Sequence, residues 1–164
     1  MKKIFIFCLI LCKTLISFAQ SDSSTPVYLR FPVIPSFTIY KAVDSSAFTR
    51  ENLKKKHSTV FIIFSPDCEH CQRETDSLLT YIKLFKDAQI IMTTYLPHDQ
   101  MVKFFNDYKI ALYPQIMMGR DAHFFFPIFF KVQTLPAIYV YDKNKKFKKS
   151  FEGSVKMSKV AAEL

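Results

Sequence analysis

Hydrophobic positions along this chain switch between two periods, and the switches outline its elements. Thr59 to Phe64 is β-branched and aromatic at consecutive positions, the pattern of a strand covered by helices on both faces. Ser65-Pro66-Asp67 breaks it. Gln72 to Phe85 then takes up helical periodicity, with Cys71, Thr75, Leu78, Ile82 and Phe85 on one face at i+3 and i+4 spacing. Ala88 to Tyr95 is another apolar, β-rich run. Strand–helix–strand in that order implies parallel strands joined by a right-handed crossover.

The flanking segments complete an α/β pattern. Ser21 to Pro35 is a polar, proline-punctuated lead-in, and Phe37 to Lys41 predicts a first strand. Ser46 to Lys55 reads as a short turn or helix feeding the central strand. His98 to Tyr108 predicts a second helix. Ile110 to Phe130 is less regular, with a short helix placed near Ala122 to Phe130 that buries part of its Phe cluster. Ala137 to Tyr141 and Lys146 to Phe151 flank Asp142-Lys143-Asn144-Lys145 as a hairpin. Gly153 accommodates the backbone near its end, and Lys156 to Leu164 closes the chain as a short helix. No internal repeat or linker divides the sequence. The organisation expected is a signal segment over 1–19, a lead-in over 20–36 and one domain over 37–164.

The N-terminus changes the picture by implying export. Lys2 and Lys3 precede the apolar run Ile4 to Leu11, and Ser17-Phe18-Ala19 offers small residues where a signal peptidase reads. Cleavage is expected near Ala19, with a periplasmic destination. An uncleaved anchor is disfavoured, because the segment is short and Lys13 interrupts it. A lipoprotein attachment at Cys12 is disfavoured by the bulk of Leu11. Cleavage leaves about 145 residues, enough for one domain with a real core. Without Lys2, Lys3 and Lys13 the formal charge falls from +9 to +6. Lys143, Lys145, Lys146, Lys148 and Lys149 carry much of the remainder, as a solvated hairpin does. Nucleic-acid binding is disfavoured by export and by the lack of a basic helix or base-stacking motif.

The same cleavage sharpens the cysteine count. Cys8 and Cys12 leave with the signal, so the mature chain keeps Cys68 and Cys71 alone. One close pair is too little for a disulfide-stapled scaffold. Two cysteines with scattered histidines do not form the familiar structural zinc pattern either. In Cys68-Glu69-His70-Cys71, two thiols stand at the start of a helix that follows a strand. Unpaired N–H groups and the positive dipole end there favour a thiolate. The spacing lets the second sulfur resolve a mixed disulfide formed by the first. An inert structural disulfide and a metal-binding pair are the competing interpretations.

Three pieces of the chain resemble the thioredoxin fold, closest to its TlpA/ResA-like branch of exported thiol–disulfide oxidoreductases. They are Phe64 to Glu74 around the cysteines, Val132-Gln133-Thr134-Leu135-Pro136-Ala137 continuing to Asp142, and Phe151-Glu152-Gly153. Together they frame Phe37 to Leu164 in a three-layer sandwich, a mixed sheet between helices. The 65 residues from Cys71 to Pro136 leave room for the extra strand–helix element of TlpA-like members. The resemblance implies Cys68 as the attacking thiolate, more exposed and lower in pKa, and Cys71 as the buried resolving thiol. It implies Pro136 as a cis proline facing the pair, with Leu135 offering its backbone to an extended client segment.

Departures from that pattern redistribute the roles. The chain has no Trp, although members commonly carry one near the first cysteine. Ile62 stands where thioredoxin keeps a buried aspartate, so proton handling must come from elsewhere. Glu74 matches an acidic residue that ResA-like proteins keep, and it sits on the stripe of Cys71 and Leu78. There it could raise the Cys71 pKa and take its proton, or simply favour the helix dipole. His70 could stabilise the Cys68 thiolate, while Glu69 would oppose that by like charge. His57, His98 and His123 read as surface or packing residues.

The leading expectation is an enzyme that reduces client disulfides, with the Cys68–Cys71 disulfide as its redox centre and no other cofactor. Its partners would be client proteins with disulfides or thiols and a membrane electron donor or acceptor. The alternatives are a disulfide oxidase or isomerase using the same site, and a copper-binding metallochaperone with the thiolates as Cu(I) ligands. A docking module without turnover is disfavoured by the intact pair. A peroxiredoxin-type peroxidase is disfavoured because Ser65 occupies the place of its usual Thr.

Overall fold

A computed structural model describes residues 25–164. The proposed signal segment lies outside the described residues. The lead-in carries one helical turn, α1 (Val27–Arg30). Two short strands follow, β1 (Thr38–Lys41) and β2 (Ala47–Thr49), then β3 (Ser58–Ile63) and α2 (Glu69–Thr80). The second half contains β4 (Ala88–Thr94), α3 (His98–Asp107), β5 (Ile116–Arg120) and α4 (Phe125–Phe130). It ends with β6 (Ala137–Tyr141), β7 (Phe147–Glu152) and α5 (Met157–Ala161). Among the described residues no helix is long and apolar enough to cross a membrane.

The seven strands form one sheet in the order β2-β1-β5-β4-β3-β6-β7. β3, β4 and β5 are parallel, whereas β6 runs antiparallel to β3 and β7 antiparallel to β6. The fold is therefore α/β, a mixed sheet between two helical layers. Every residue of β3 and β4 is buried. Because side chains alternate across a strand, Val60 and Ile62 join one apolar cluster while Phe61 and Ile63 join the other. The first cluster takes in Leu78 of α2, Met101 and Phe104 of α3, and Met157 and Val160 of α5. The second is aromatic: Tyr28, Phe37, Phe61, Phe126, Phe130, Tyr139 and Tyr141 interlock, with Phe130 stacked on Tyr139 at 3.7 Å between centroids.

Several expectations need correction. The helix α2 starts at Glu69 with Cys68 as its cap, so both cysteines lie at its first turn as expected, but it does not run on to Phe85. It stops at Thr80, and a separate 3-10 turn, Ile82–Phe85, carries Phe85 into the core. Ser46 to Lys55, expected as a short turn or helix, does contain a turn but begins as a strand. It is β2 followed by the 3-10 turn Arg50–Asn52, closed where the Asn52 carboxamide oxygen accepts the Thr49 N–H at 2.8 Å. The stretch called less regular holds β5, a strand between β4 and β1. Its sequence, Ile-Met-Met-Gly-Arg, has little β propensity, and pairing on both sides supplies what propensity lacks. Gly119 fits closely there: a Cβ would stand 3.1 Å from Ile39 and from the Tyr40 carbonyl oxygen, so a larger residue would need these neighbours to give by a few tenths of an ångström. Part of the lead-in packs onto the domain, since Tyr28 and Ile34 are buried and Val33 bridges to Lys146.

Two polar residues hold the ends of this architecture. Lys145 at the hairpin turn donates to the Lys54 and His57 carbonyls and to Thr59 Oγ1, tying the turn to the entry of β3. Asp121, 1% exposed, caps α4 by accepting the Phe125 N–H at 3.0 Å and the Phe126 N–H at 2.8 Å. Asp121→Ala would strand both donors in the interior. It is expected to lower the unfolding free energy by about 2 kcal/mol, measured by urea denaturation, with Asp121→Asn retaining part of the loss.

Candidate active site

The end of β3 decides where the cysteines sit. The chain leaves the sheet at Phe64 and turns through Ser65-Pro66-Asp67. The Ser65 carbonyl accepts the Cys68 N–H at 3.2 Å, and the Ser65 hydroxyl donates to the Asp67 carboxylate. Gln72 Nε2 closes the turn from α2 by donating to the Pro66 carbonyl at 2.9 Å. Cys68 is the N-cap of α2, with extended backbone, and its Sγ accepts the Cys71 N–H at 3.4 Å. A sulfur in that place receives one of the N–H groups that a helix start leaves unpaired, at the positive end of the dipole.

The two thiols occupy different surroundings. Cys68 is half-buried, whereas Cys71 is 1% exposed, and both are free. Burial pushes the Cys71 thiol up to about 12, and its hydrogen bond to Cys68 adds to the rise. Behind Cys71 lies a cavity of about 10 Å³, lined by Ile62, Phe64, Cys71, Glu74, Leu78 and Pro136 among others. That is about the room one water needs. Ile62, at the place where thioredoxin keeps an aspartate, makes its share of this wall apolar. The carboxylate present is Glu74, 6% exposed, which burial raises above the ordinary carboxylate range. Its Oε1 accepts the Val155 N–H at 3.3 Å, a bond that partly offsets the rise.

The Leu135–Pro136 bond is cis, and Pro136 is buried against the same cavity as Cys71. Leu135 is half-buried and contacts both apolar clusters. Glu69 and His70 are exposed. The Glu69 carboxylate pairs with Arg73 at 3.4 Å, a solvated ion pair of little energetic weight. His70 Nδ1 lies 3.1 Å from Arg73 and 3.4 Å from Ser154 Oγ. Its hydrogen bonds therefore go to those partners and not to Cys68, so any influence on that sulfur acts through space. His57 and His98 hydrogen-bond to the Lys55 carbonyl and to Ser45, and His123 is exposed. Among the described residues no group of three or more His, Cys, Asp or Glu is disposed to hold a metal ion.

The run Glu152 to Val155, of which sequence reasoning singled out Glu152 and Gly153 only as part of a family likeness, ties the segment before Pro136 to His70 and Glu74. The Glu152 carboxylate accepts from the Gln133 and Thr134 N–H groups, and the Gly153 N–H donates to the Pro136 carbonyl at 2.9 Å. Ser154 meets His70, and the Val155 N–H meets Glu74. Gly153 makes this turn possible with φ +74°. The signal was present in Phe151-Glu152-Gly153, but its partners lie too far along the chain to be named from it. A broader groove of about 730 Å³ runs between α2 and α3, lined by Asp67, Gln72, Asp76, Lys103, Phe104 and Tyr108 among others. It borders the cysteine turn at Pro66 and Asp67 but contains neither sulfur, so size alone misplaces the chemistry.

No family profile and no curated protein matches this chain. Solved structures do, at low identity. A secreted Mycobacterium tuberculosis disulfide oxidoreductase homologous to E. coli DsbE aligns with a TM-score of 0.64 and 15% identity, over 77% of this chain and 92% of its own. Peroxidoxin BcpB from Mycobacterium tuberculosis aligns at 0.67 and 15% identity, over 80% and 92%. StoA from Bacillus subtilis aligns at 0.59 and 11% identity, over 80% and 97%. The fold is thioredoxin-like.

The buried carboxylate makes stability depend on pH. With its folded pKa raised, Glu74 holds its proton in the folded state at pH values where the unfolded chain has lost it. Stability therefore falls as pH rises from the ordinary carboxylate range through the raised value. Glu74→Gln stays neutral and can still accept the Val155 N–H. It is expected to be more stable than the wild type at pH 7.5, with the difference closing below about pH 4, measured by urea denaturation at both.

Proposed function

We propose that this chain is an exported thiol–disulfide oxidoreductase that reduces disulfides of client proteins through a Cys68/Cys71 couple. The observation that carries the proposal is the asymmetry of the pair. One sulfur is half-buried at a helix start, and the other is buried beneath it beside a carboxylate and a cis proline. Export is supported by the N-terminal charge and apolar pattern and by likeness to a secreted oxidoreductase.

In the reducing direction, the Cys68 thiolate attacks one sulfur of a client disulfide. The client S–S bond breaks, one client sulfur leaves as a thiolate, and a mixed disulfide forms. Cys71 then loses its proton and attacks Cys68 Sγ. The Cys68–client bond breaks, the second client thiolate leaves, and the Cys68–Cys71 disulfide closes. Two electrons pass to the client, whose thiolates take up two protons. Cys71 holds its proton too tightly to resolve unaided near neutral pH, so a base is needed. Glu74, on the wall of the same cavity, is that base, directly or through one water. Leu135 presents backbone groups to the client segment, and Pro136 separates the buried thiol from it. A membrane electron donor would restore the dithiol.

The same site run in reverse is the second reading, since the likeness to oxidoreductases does not choose a direction. A potential of the Cys68–Cys71 couple near about −270 mV marks a reductant, and one near about −120 mV an oxidant. Cys68→Ser is expected to reduce insulin disulfide reduction to background; activity equal to the wild type would end the enzyme reading. Glu74→Gln is expected to slow resolution on the order of a hundredfold, with mixed disulfide accumulating in mass spectra and the pH dependence of turnover altered. An unchanged profile would leave Glu74 as a buried residue with no proton role.

A further inference from the structure

We propose that Glu152 is the positioning residue for client binding, holding the segment before Pro136 in the shape that an extended client pairs with. This rests on the oxidoreductase reading above and assigns it a recognition element. Glu152 Oε2 accepts the Gln133 N–H at 3.2 Å and the Thr134 N–H at 3.0 Å. Oε1 accepts the hydroxyl of Tyr139 at 3.2 Å. Tyr139 is fully buried and stacked on Phe130, so it fixes the carboxylate from the core side. The Gly153 N–H holds the far end of the segment through the Pro136 carbonyl.

These bonds bracket one residue. Gln133 and Thr134 are anchored on one side and Pro136 on the other, while Leu135 makes no backbone hydrogen bond among the described residues. Its N–H and carbonyl are the groups left for an incoming strand, the usual currency of β-augmentation. Freeing Gln133 and Thr134 would make binding order a mobile segment, a cost that falls on association. The sulfur chemistry would not share it, because Glu152 touches neither cysteine. Glu152 is itself solvent-exposed, so its replacement opens no cavity, although it also removes the acceptor of the buried Tyr139 hydroxyl, which Glu152→Gln can still meet.

The experiment compares two disulfides of different size with reduced protein. Insulin, turned over with dithiothreitol as donor, needs the backbone segment; 5,5′-dithiobis(2-nitrobenzoate), in single turnover, needs only the sulfur. Glu152→Ala is expected to raise the insulin KM about tenfold, the scale of one lost charge-assisted clamp, with kcat and the small-disulfide rate within about twofold of wild type. Glu152→Gln keeps an oxygen for both N–H groups and restores the KM. Hydrogen exchange at the Gln133 and Thr134 amides speeds up in the Ala variant alone. An unchanged insulin KM in Glu152→Ala overturns the inference, as does a small-disulfide rate that falls in step with it or a Gln variant that fails to restore it. If Glu152→Ala does not fold, Glu152→Met, which keeps the side-chain length without the acceptors, takes its place under the same criteria. Wild-type protein inactive on both disulfides instead overturns the oxidoreductase reading. The amide exchange then judges the Glu152 clamp by itself: unchanged exchange rejects it.

Discussion

Burial of β3 on both faces is the constraint from which the site follows. A strand that must put Val60 and Ile62 into one cluster and Phe61 and Ile63 into the other has one position in the sheet, near the centre. Its end is then a fixed point. β6 is antiparallel to β3 and starts there, and β7 is antiparallel to β6 and ends there. The register places Ile63 opposite Ala137 and Ala137 opposite Glu152. With strands about 4.8 Å apart, the cysteine turn, the cis proline and the run from Glu152 to Val155 arrive together at one edge. No local preference of those segments brings them there.

The chemistry proposed for this site depends on giving two thiols three residues apart different surroundings. The cap position turns Cys68 outward, while the first turn of α2 carries Cys71 under it and Glu74 beneath the same wall. A carboxylate in such a place is costly, since burial disfavours its charged form and, among the described residues, the Val155 N–H alone donates to it. The apolar sheet around it keeps it there, and a group that gains nothing for stability invites a functional explanation. Charged residues at the rim behave otherwise: Glu69 and Arg73 pair in solvent, where screening leaves them little influence.

Much of this was legible from the chain. The two-sided hydrophobicity of Thr59 to Phe64, the part of the stripe from Cys71 to Leu78 and the hairpin around Asp142 to Lys145 each reflect a local period, and each corresponds to an element observed. β5 was not legible, because Met, Gly and Arg become a strand only when β4 and β1 pair with them. The end of α2 was not legible either, because Ile82 and Phe85 continue the apolar stripe although they belong to a separate 3-10 turn.

The sequence by itself determined the central strand, the helix after it, the cysteine pair at their junction and the α/β class, since those depend on periodicity and spacing within a few turns of chain. Tertiary structure alone decided that Glu74 faces Val155, that His70 meets Ser154, and that Glu152 gathers the N–H groups of Gln133 and Thr134. Those partners lie between 18 and 84 residues apart. Hydrogen bonds form between atoms about 3 Å apart, and at such separations in sequence only the sheet register sets that distance.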